Sequence, residues 1–267
     1  MNSTQYSHVL RCNGDICNTA EEELIREEPL LIRVEGRPYS VVMRTPGQEI
    51  SQVAGFCLTE GIVDHRTDFA TIDYCEDSDS NVVNVRLQPA RLRNVSTLLE
   101  RRGFISQTSC GICGKEMIKD LFQLLRPMED ETAIDIGQAI ACVDKLGQCQ
   151  DLYKRTRAAH AAILLDLQMN VLAMGEDVGR HNALDKAIGK VFMSRQMENT
   201  RLAVLSSRIS YELVQKAARA RLPVVIGMSR PTALAVELGQ DLNMSLACID
   251  RKSGLMVFSG EERFSGR

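Results

Sequence analysis

The chain has 267 residues, 44% of them apolar but only 4% aromatic and none Trp, which suffices for one large or two modest domains around an aliphatic core. A net charge of −3 makes no electrostatic case for nucleic acid, and no apolar run approaches the roughly 20 residues of a membrane span. Nine irregularly spaced cysteines, with no basic start and apolar run in Met1 to Asn18, argue against a disulfide scaffold and lead us to expect a reducing cytoplasm.

Residues 1–20 are polar and unpatterned and read as a flexible arm, with Cys12 and Cys17 in it. Leu30 to Glu35 and Tyr39 to Met43 flank Gly36-Arg37-Pro38 as a hairpin. After Pro46-Gly47, the residues Ile50, Val53, Ala54, Cys57 and Leu58 fall at helical spacing, with Cys57 on the helix face. Asn81 to Leu87 predicts a strand, and Leu92 to Leu99 a short helix or strand. Together these make a small α+β domain over 21–105, followed by a Cys loop and helix over 106–126 and an α/β domain over 127–267. In the last domain Ala161 to Asp166 and Val171 to Met174 predict a hairpin. Thereafter helices and strands alternate: a helix from Asn182 to Phe192, a strand from Arg201 to Ser206, a helix from Tyr211 to Arg221 and a strand from Pro223 to Gly227. A helix with Pro231 at its first position, a strand from Met244 to Ile249 containing Cys248, and an edge strand from Leu255 to Phe258 complete it. That alternation predicts right-handed crossovers and a largely parallel sheet.

Cys110-Gly-Ile-Cys113-Gly is the most informative stretch. The apolar residues Met117, Ile118, Leu121, Phe122 and Leu125 follow at helical spacing, so the thiols precede a helix N-terminus whose unpaired N–H groups favour thiolate, with Lys115 adding charge. Three readings stand: a redox or sulfur-transfer pair, half of a zinc site, or two inert cysteines. A structural zinc needs four ligands, and no second such pair exists, since Cys142 and Cys149 are seven apart and Cys12 and Cys17 five apart.

The cluster from Gly175 to Lys186 is the next densest. Gly179 before a helix start suits an anion on backbone N–H groups, and Asp185, four residues from His181, is placed to orient its imidazole. A plain cap with Asp177 explains the same residues. His160 enters a strand and reads as structural. Ser206-Ser207-Arg208, Ser229-Arg230-Pro231-Thr232 and Asp250-Arg251-Lys252-Ser253-Gly254 end successive predicted strands. Ligands of open α/β sheets bind beyond such ends, so the recurrence suggests a phosphate-binding rim.

Five segments together resemble the FdhD family, the formate dehydrogenase accessory sulfurtransferases or sulfur carriers. They are Ser109 to Gly114, His160-Ala161-Ala162, Glu176 to Lys186, Ser206 to Arg208 with Tyr211 to Ala218, and Pro231 to Glu237. The resemblance spans about Glu28 to Arg263. It implies an α/β fold, a cytidine deaminase-like three-layer sheet with a smaller N-terminal α+β domain, and a homodimer. It implies a cytoplasmic protein that takes persulfide sulfur from a cysteine desulfurase. The sulfur passes to the metal of bis-molybdopterin guanine dinucleotide before that cofactor enters formate dehydrogenase, and a GDP-like moiety is expected to bind alone. By position Cys110 is the persulfide carrier and Cys113 its partner, while Ile249, Asp250, Arg251, Lys252, Ser253 and Gly254 form the cofactor-contacting turn. Arg208, Arg230 and His181 complete the expected cofactor site; no resident metal is expected.

Two departures stand out. Arg157 and Ala158 replace the usual small-residue turn before His160, and the 249–254 turn lacks an aromatic start and a Gly-Arg end. Rival readings are a cofactor-binding chaperone without sulfur transfer and a dithiol oxidoreductase. Zinc deaminase chemistry is unsupported, because His160 is followed by Ala161-Ala162 rather than by a Glu two residues on.

Overall fold

The computed structural model describes residues 2–75, 81–102, 125–250 and 254–266. The chain begins with an antiparallel ribbon, β1 (Thr4–Asn13) and β2 (Ile16–Ile25), in which Cys12 faces Cys17 and the two are disulfide-bonded. The expected flexible arm over 1–20 is thus a hairpin. Its signal is the two-residue turn Gly14-Asp15, where Gly14 takes φ 60°, between segments containing Tyr6, Val9, Leu10 and Ile16.

A four-stranded sheet follows, built from β3 (Glu28–Val34), β4 (Arg37–Arg44), β5 (Phe69–Tyr74) and β6 (Val82–Leu87) in the order β4-β3-β6-β5. Leu30, Ile32 and Val34 alternate with less buried residues along β3, as Val83, Val85 and Leu87 do along β6, which is the period of a sheet with one buried face. Helix α1 (Glu49–Thr59) covers that face with Val53, Phe56 and Cys57, and α2 (Pro89–Arg102) follows β6.

The C-terminal half opens with β7 (Ile134–Asp135), α3 (Ile136–Cys149) and α4 (Asp151–Thr156). Then come β8 (His160–Leu165), β9 (Val171–Asp177), α5 (Arg180–Met193), β10 (Leu202–Arg208), α6 (Tyr211–Arg219) and β11 (Val224–Ser229). Helix α7 (Ala233–Asp241), β12 (Ser245–Asp250), β13 (Gly254–Ser259) and β14 (Phe264–Ser265) end the chain. The six-stranded sheet runs β13-β12-β11-β10-β8-β9. Only β10, β11 and β12 are mutually parallel; β8, β9 and β13 pair antiparallel. The sheet is therefore mixed rather than largely parallel: the short β8–β9 connection makes a hairpin, whereas the helical crossovers after β10 and β11 return the chain parallel. Pro231 lies outside α7, whose N-cap is Thr232, its side chain accepting from the Ala235 N–H at 3.3 Å.

Side-chain alternation sorts two cores across this sheet. Ala162, Leu164, Ala203, Leu205 and Val225 face α5, α6 and α7. Ala161, Ile163, Leu165, Val204 and Ile226 face the other way, where Ala139, Cys142 and Leu146 of α3 cover them. Helix, sheet and helix make three layers. The first core runs on into the N-terminal sheet because α1 lies directly on α5. At the crossing a Cβ on Gly55 would collide with the Asp185 carbonyl, and one on Gly189 with the Ser51 carbonyl. Glycine at both places lets two helix backbones touch.

Candidate functional site

The polar block from Gly175 to Lys186 divides into buried and open halves. Glu176 turns toward α4, accepting the Leu152 and Tyr153 N–H groups at 2.9 and 3.0 Å. Asp177, fully buried, pairs with Lys186 at 2.7 Å and accepts from the N–H groups of Thr45 and Gly179. Lys186 also donates to the Thr45 and Glu176 carbonyls at 2.8 and 3.2 Å. Asn182 donates to the Met43 carbonyl and to Asp177. These bonds fasten the end of β4 to the start of α5. The N-cap of α5 is Gly179, so Asp177 acts within this seam rather than as the helix cap.

Asp185 likewise does not orient His181. It accepts from Lys216 at 2.9 and 3.0 Å and from the Thr59 hydroxyl at 3.0 Å. Burial presses on the Lys216 ammonium, but Asp185 and Glu60 more than offset it and hold its pKa above the ordinary lysine value. Buried ions of this kind persist only when each is paired and hydrogen-bonded.

The remaining members of the block, Arg180 and His181, open onto the carboxyl ends of the parallel strands. A bulge falls between Leu205 and Arg208 of β10. It brings the Ser206 hydroxyl to the Ala161 N–H at 2.8 Å and to 3.5 Å from His160 Nδ1. Arg208, exposed at the strand end, lies opposite Ser229 of β11. The next residue, Arg230, is 68% exposed and 3.9 Å from Asp250 at the end of β12. Glu212, in the first turn of α6, lies 3.9 Å from His181 Nε2.

Charge on this rim is lopsided. Burial, followed by the Lys216 and Arg180 cations, pushes His181 down to about 4 despite Glu212. Burial and then Arg180 lower His160, with Asp177 opposing. Burial and the neighbouring Arg208 lower Arg180, which nevertheless stays charged. Both imidazoles are therefore neutral near pH 7. Arg180 Nε and His181 Nε2 are buried and make no hydrogen bond. Arginines beside neutral imidazoles with spare hydrogen-bonding atoms suit a phosphorylated ligand that also carries polar heteroatoms.

Of the residues expected from sequence, Arg208, Arg230, His181 and Asp250 lie at this end of the sheet. Ile249 instead packs its side chain on the second core and pairs with Leu255, and Gly254 opens β13 at φ 72°. Arg251, Lys252, Ser253, Cys110 and Cys113 lie outside the described residues. Arg180 and Glu212 were missed as site residues. Their signal is position alone: each lies in the first turn of a helix that follows a strand end. Arg157 takes φ 58° at the end of α4 and its guanidinium stands over the Tyr153 ring at 5.5 Å. The left-handed backbone explains why small residues suit that turn.

Two grooves lie away from the rim. A groove of about 620 Å³ runs along β5 past Arg66, Phe69, Ile72 and Met193. A smaller one of about 360 Å³ lies by Gln48, Leu152 and Lys186. Neither gathers the unpaired polar atoms that the rim does. Among the described residues no cluster of three His, Cys, Asp or Glu side chains could hold a metal ion, and no helix is long and apolar enough to cross a membrane.

A three-layer α/β protein with a cationic rim at its strand ends is the class these observations define. The FdhD/NarQ family model matches residues 25–265. A sulfur carrier protein FdhD of Mycobacterium tuberculosis is 36% identical over 276 residues, covering 98% of this chain and 99% of its own. One from Streptomyces coelicolor is 33% identical over 274 residues, covering 99% and 96%. A crystal structure of a protein assigned as a formate dehydrogenase accessory protein, from Desulfotalea psychrophila, shares the fold with a TM-score of 0.78, covering 99% of this chain and 100% of its own at 19% identity. The chain belongs to the FdhD/NarQ family.

Proposed function

We propose that this protein is a sulfur carrier serving formate dehydrogenase, with bis-molybdopterin guanine dinucleotide as the sulfur acceptor. The near full-length likeness to sulfur carrier proteins supports the carrier role. The observation that carries the acceptor is the rim: Arg180, Arg208 and Arg230 suit the phosphates of a dinucleotide, and His181 Nε2, buried without a hydrogen bond, suits a polar ring edge. In this reading the Cys110 thiolate attacks the outer sulfur of a cysteine desulfurase persulfide, and the desulfurase leaves as its thiol. The Cys loop then carries the sulfur to the acceptor metal, and Cys113 either stabilises the Cys110 persulfide or resolves it by attacking its inner sulfur, so that a Cys110–Cys113 disulfide forms, hydrosulfide departs and a dithiol reductant resets the pair. The six-stranded sheet between two helix layers is compatible with the deaminase-like description. A sulfurtransferase acting in the cytoplasm as a homodimer is part of the same reading.

Persulfide trapping tests it. The protein is mixed with a cysteine desulfurase and cysteine, alkylated and mapped by mass spectrometry. An extra sulfur on Cys110, absent from Cys110→Ala, is expected. Unmodified Cys110 and Cys113 beside an active desulfurase, with GDP still bound, would leave a cofactor-binding chaperone instead.

A further inference from the structure

The β1–β2 ribbon is held to the body at its base. The Thr4 hydroxyl donates to Glu23 at 2.6 Å, and Arg155 of α4 donates to Glu23 and to Thr4. Cys12 follows Thr4 by eight residues, which places the bridge roughly 26 Å along the ribbon from that anchor. Both cysteines are exposed. Two facts speak against a purely structural staple. The bridge closes a ring of six residues, whose lost chain entropy lies at the low end for disulfides. It also guards no core, since Tyr6, Leu10 and Ile16 of the same ribbon are 68%, 69% and 69% exposed.

The other described cysteines contrast with this pair. Cys57, Cys142 and Cys248 are buried. Burial raises all three thiols, Cys142 to about 12, so they are poor nucleophiles. Cys75 and Cys149 are half-buried and unbridged. Only Cys12 and Cys17, among the described residues, join exposure to a partner sulfur directly across the strand, at a Cα separation of 4.1 Å.

We propose that Cys12 and Cys17 form a second sulfur-handling site, a dithiol that takes sulfane sulfur from a persulfide, releases it as hydrosulfide and closes the bridge seen in the structure. This rests on the sulfur-carrier reading of the chain. One arm thiolate attacks the outer sulfur of the persulfide; the donor's S–S bond breaks and the donor leaves as its thiol. The second arm thiolate attacks the arm sulfur of the new persulfide, a Cys12–Cys17 bond forms and HS⁻ leaves. One sulfane sulfur gains the two electrons that the two thiols lose, and a dithiol reductant such as a reduced thioredoxin-type protein resets the arm. The second step is intramolecular, so the partner thiol acts at an effective concentration far above that of free thiol.

The test uses the full chain carrying Cys110→Ser and Cys113→Ser, reduced, freed of reductant and given glutathione persulfide. Hydrosulfide is measured by bimane derivatisation, and the arm peptide is mapped by mass spectrometry after alkylation. About one hydrosulfide per chain and a bridged arm are expected. Adding Cys17→Ser should slow release at least about 10-fold and leave an extra sulfur on Cys12. Release no faster than from that single-thiol variant, or arm thiols still reduced after the persulfide is consumed, would overturn the proposal. In the chain with all cysteines intact, persulfide-dependent bridging of the arm peptide supports the proposal, and its absence overturns it, without relying on the variants. Desulfurase loading of Cys110 is read separately, so failure of the arm and failure of the carrier reading are distinct results.

Discussion

Two clusters of charge lie within a few residues of each other along α5 and have opposite fates. In the seam, Asp177, Lys186, Asp185 and Lys216 are buried, and their charges are spent on one another, on backbone groups of Thr45, Glu176 and Gly179, and on the Thr59 hydroxyl of α1. At the rim, Arg180 and His181 keep buried nitrogens without hydrogen bonds, and Arg208 and Arg230 stand in solvent. The comparison teaches that a dense polar motif is not a catalytic inventory. Helix geometry turns successive residues to different sides, so one block of sequence can supply both the fastening of two sheets and the groups offered to a ligand.

The largest effect that would sharpen this contrast lies where the seam's helices touch. Gly189→Ala places a methyl against the Ser51 carbonyl, so the crossing must separate; a loss of about 3 kcal/mol or more is expected in urea unfolding. In the seam itself, Asp185→Asn takes from the buried Lys216 its nearer counter-ion and leaves only Glu60 at 3.8 Å, at an expected cost of about 3 kcal/mol. The double change Asp185→Leu with Lys216→Met should recover much of that loss. Equal losses in single and double variants would show that the pair is not the seam's stabilising unit.

Rim substitutions should behave in the opposite way. Arg180→Ala and Arg208→Ala are expected to shift stability by no more than about 0.5 kcal/mol and to weaken GDP binding, by calorimetric titration, roughly 10- to 100-fold. Stability losses as large as those in the seam, with GDP binding intact, would erase the distinction between the two regions.

The smallest effect is in pH. His181 titrates at about 4 in the fold against its ordinary 6.5, so on acidification the unfolded chain takes up the proton first. Stability should therefore be level above about 6.5 and fall as pH drops from there toward 4. The expected difference between pH 7 and 5 is on the order of 1 kcal/mol after allowing for solvent screening. His181→Gln should flatten that part of the profile. An unchanged slope would place the proton uptake on another group.

Much of the architecture was legible because it follows local periodicity. The strands around Leu30 and Val83 alternate, those around Ile163, Val204 and Val225 are short continuous apolar runs of a sheet buried on both faces, and the helices around Val53, Leu184 and Leu213 repeat every three to four residues. Helix α3 was not legible. It buries only Ala139, Cys142 and Leu146, and carries Gly137 and Gly147, so its face is narrow and its helix propensity weak. Packing on the second face of the sheet, where Ile163 and Val204 await cover, is what makes it a layer. The ribbon over 4–25 was missed for a different reason: its residues are mostly exposed, so no buried face marks the alternation, and the Gly14-Asp15 turn is its clearest sign.

By itself the sequence determined the family, through the order and wording of its motifs, and the strand ends at which the candidate residues fall. It determined too that the core is aliphatic. Tertiary structure alone decided which members of the 175–186 block are buried ions and which are free to meet a ligand, because, apart from the Asp177–Lys186 pair inside the block, the groups that satisfy them lie far along the chain: Thr45 and Thr59, more than a hundred positions away, supply hydrogen bonds, and Lys216, about thirty away, supplies the counter-ion of Asp185. Charge, unlike periodicity, takes its meaning from what surrounds it: desolvation and a distant counter-ion set its energy, and only the folded chain brings the two together.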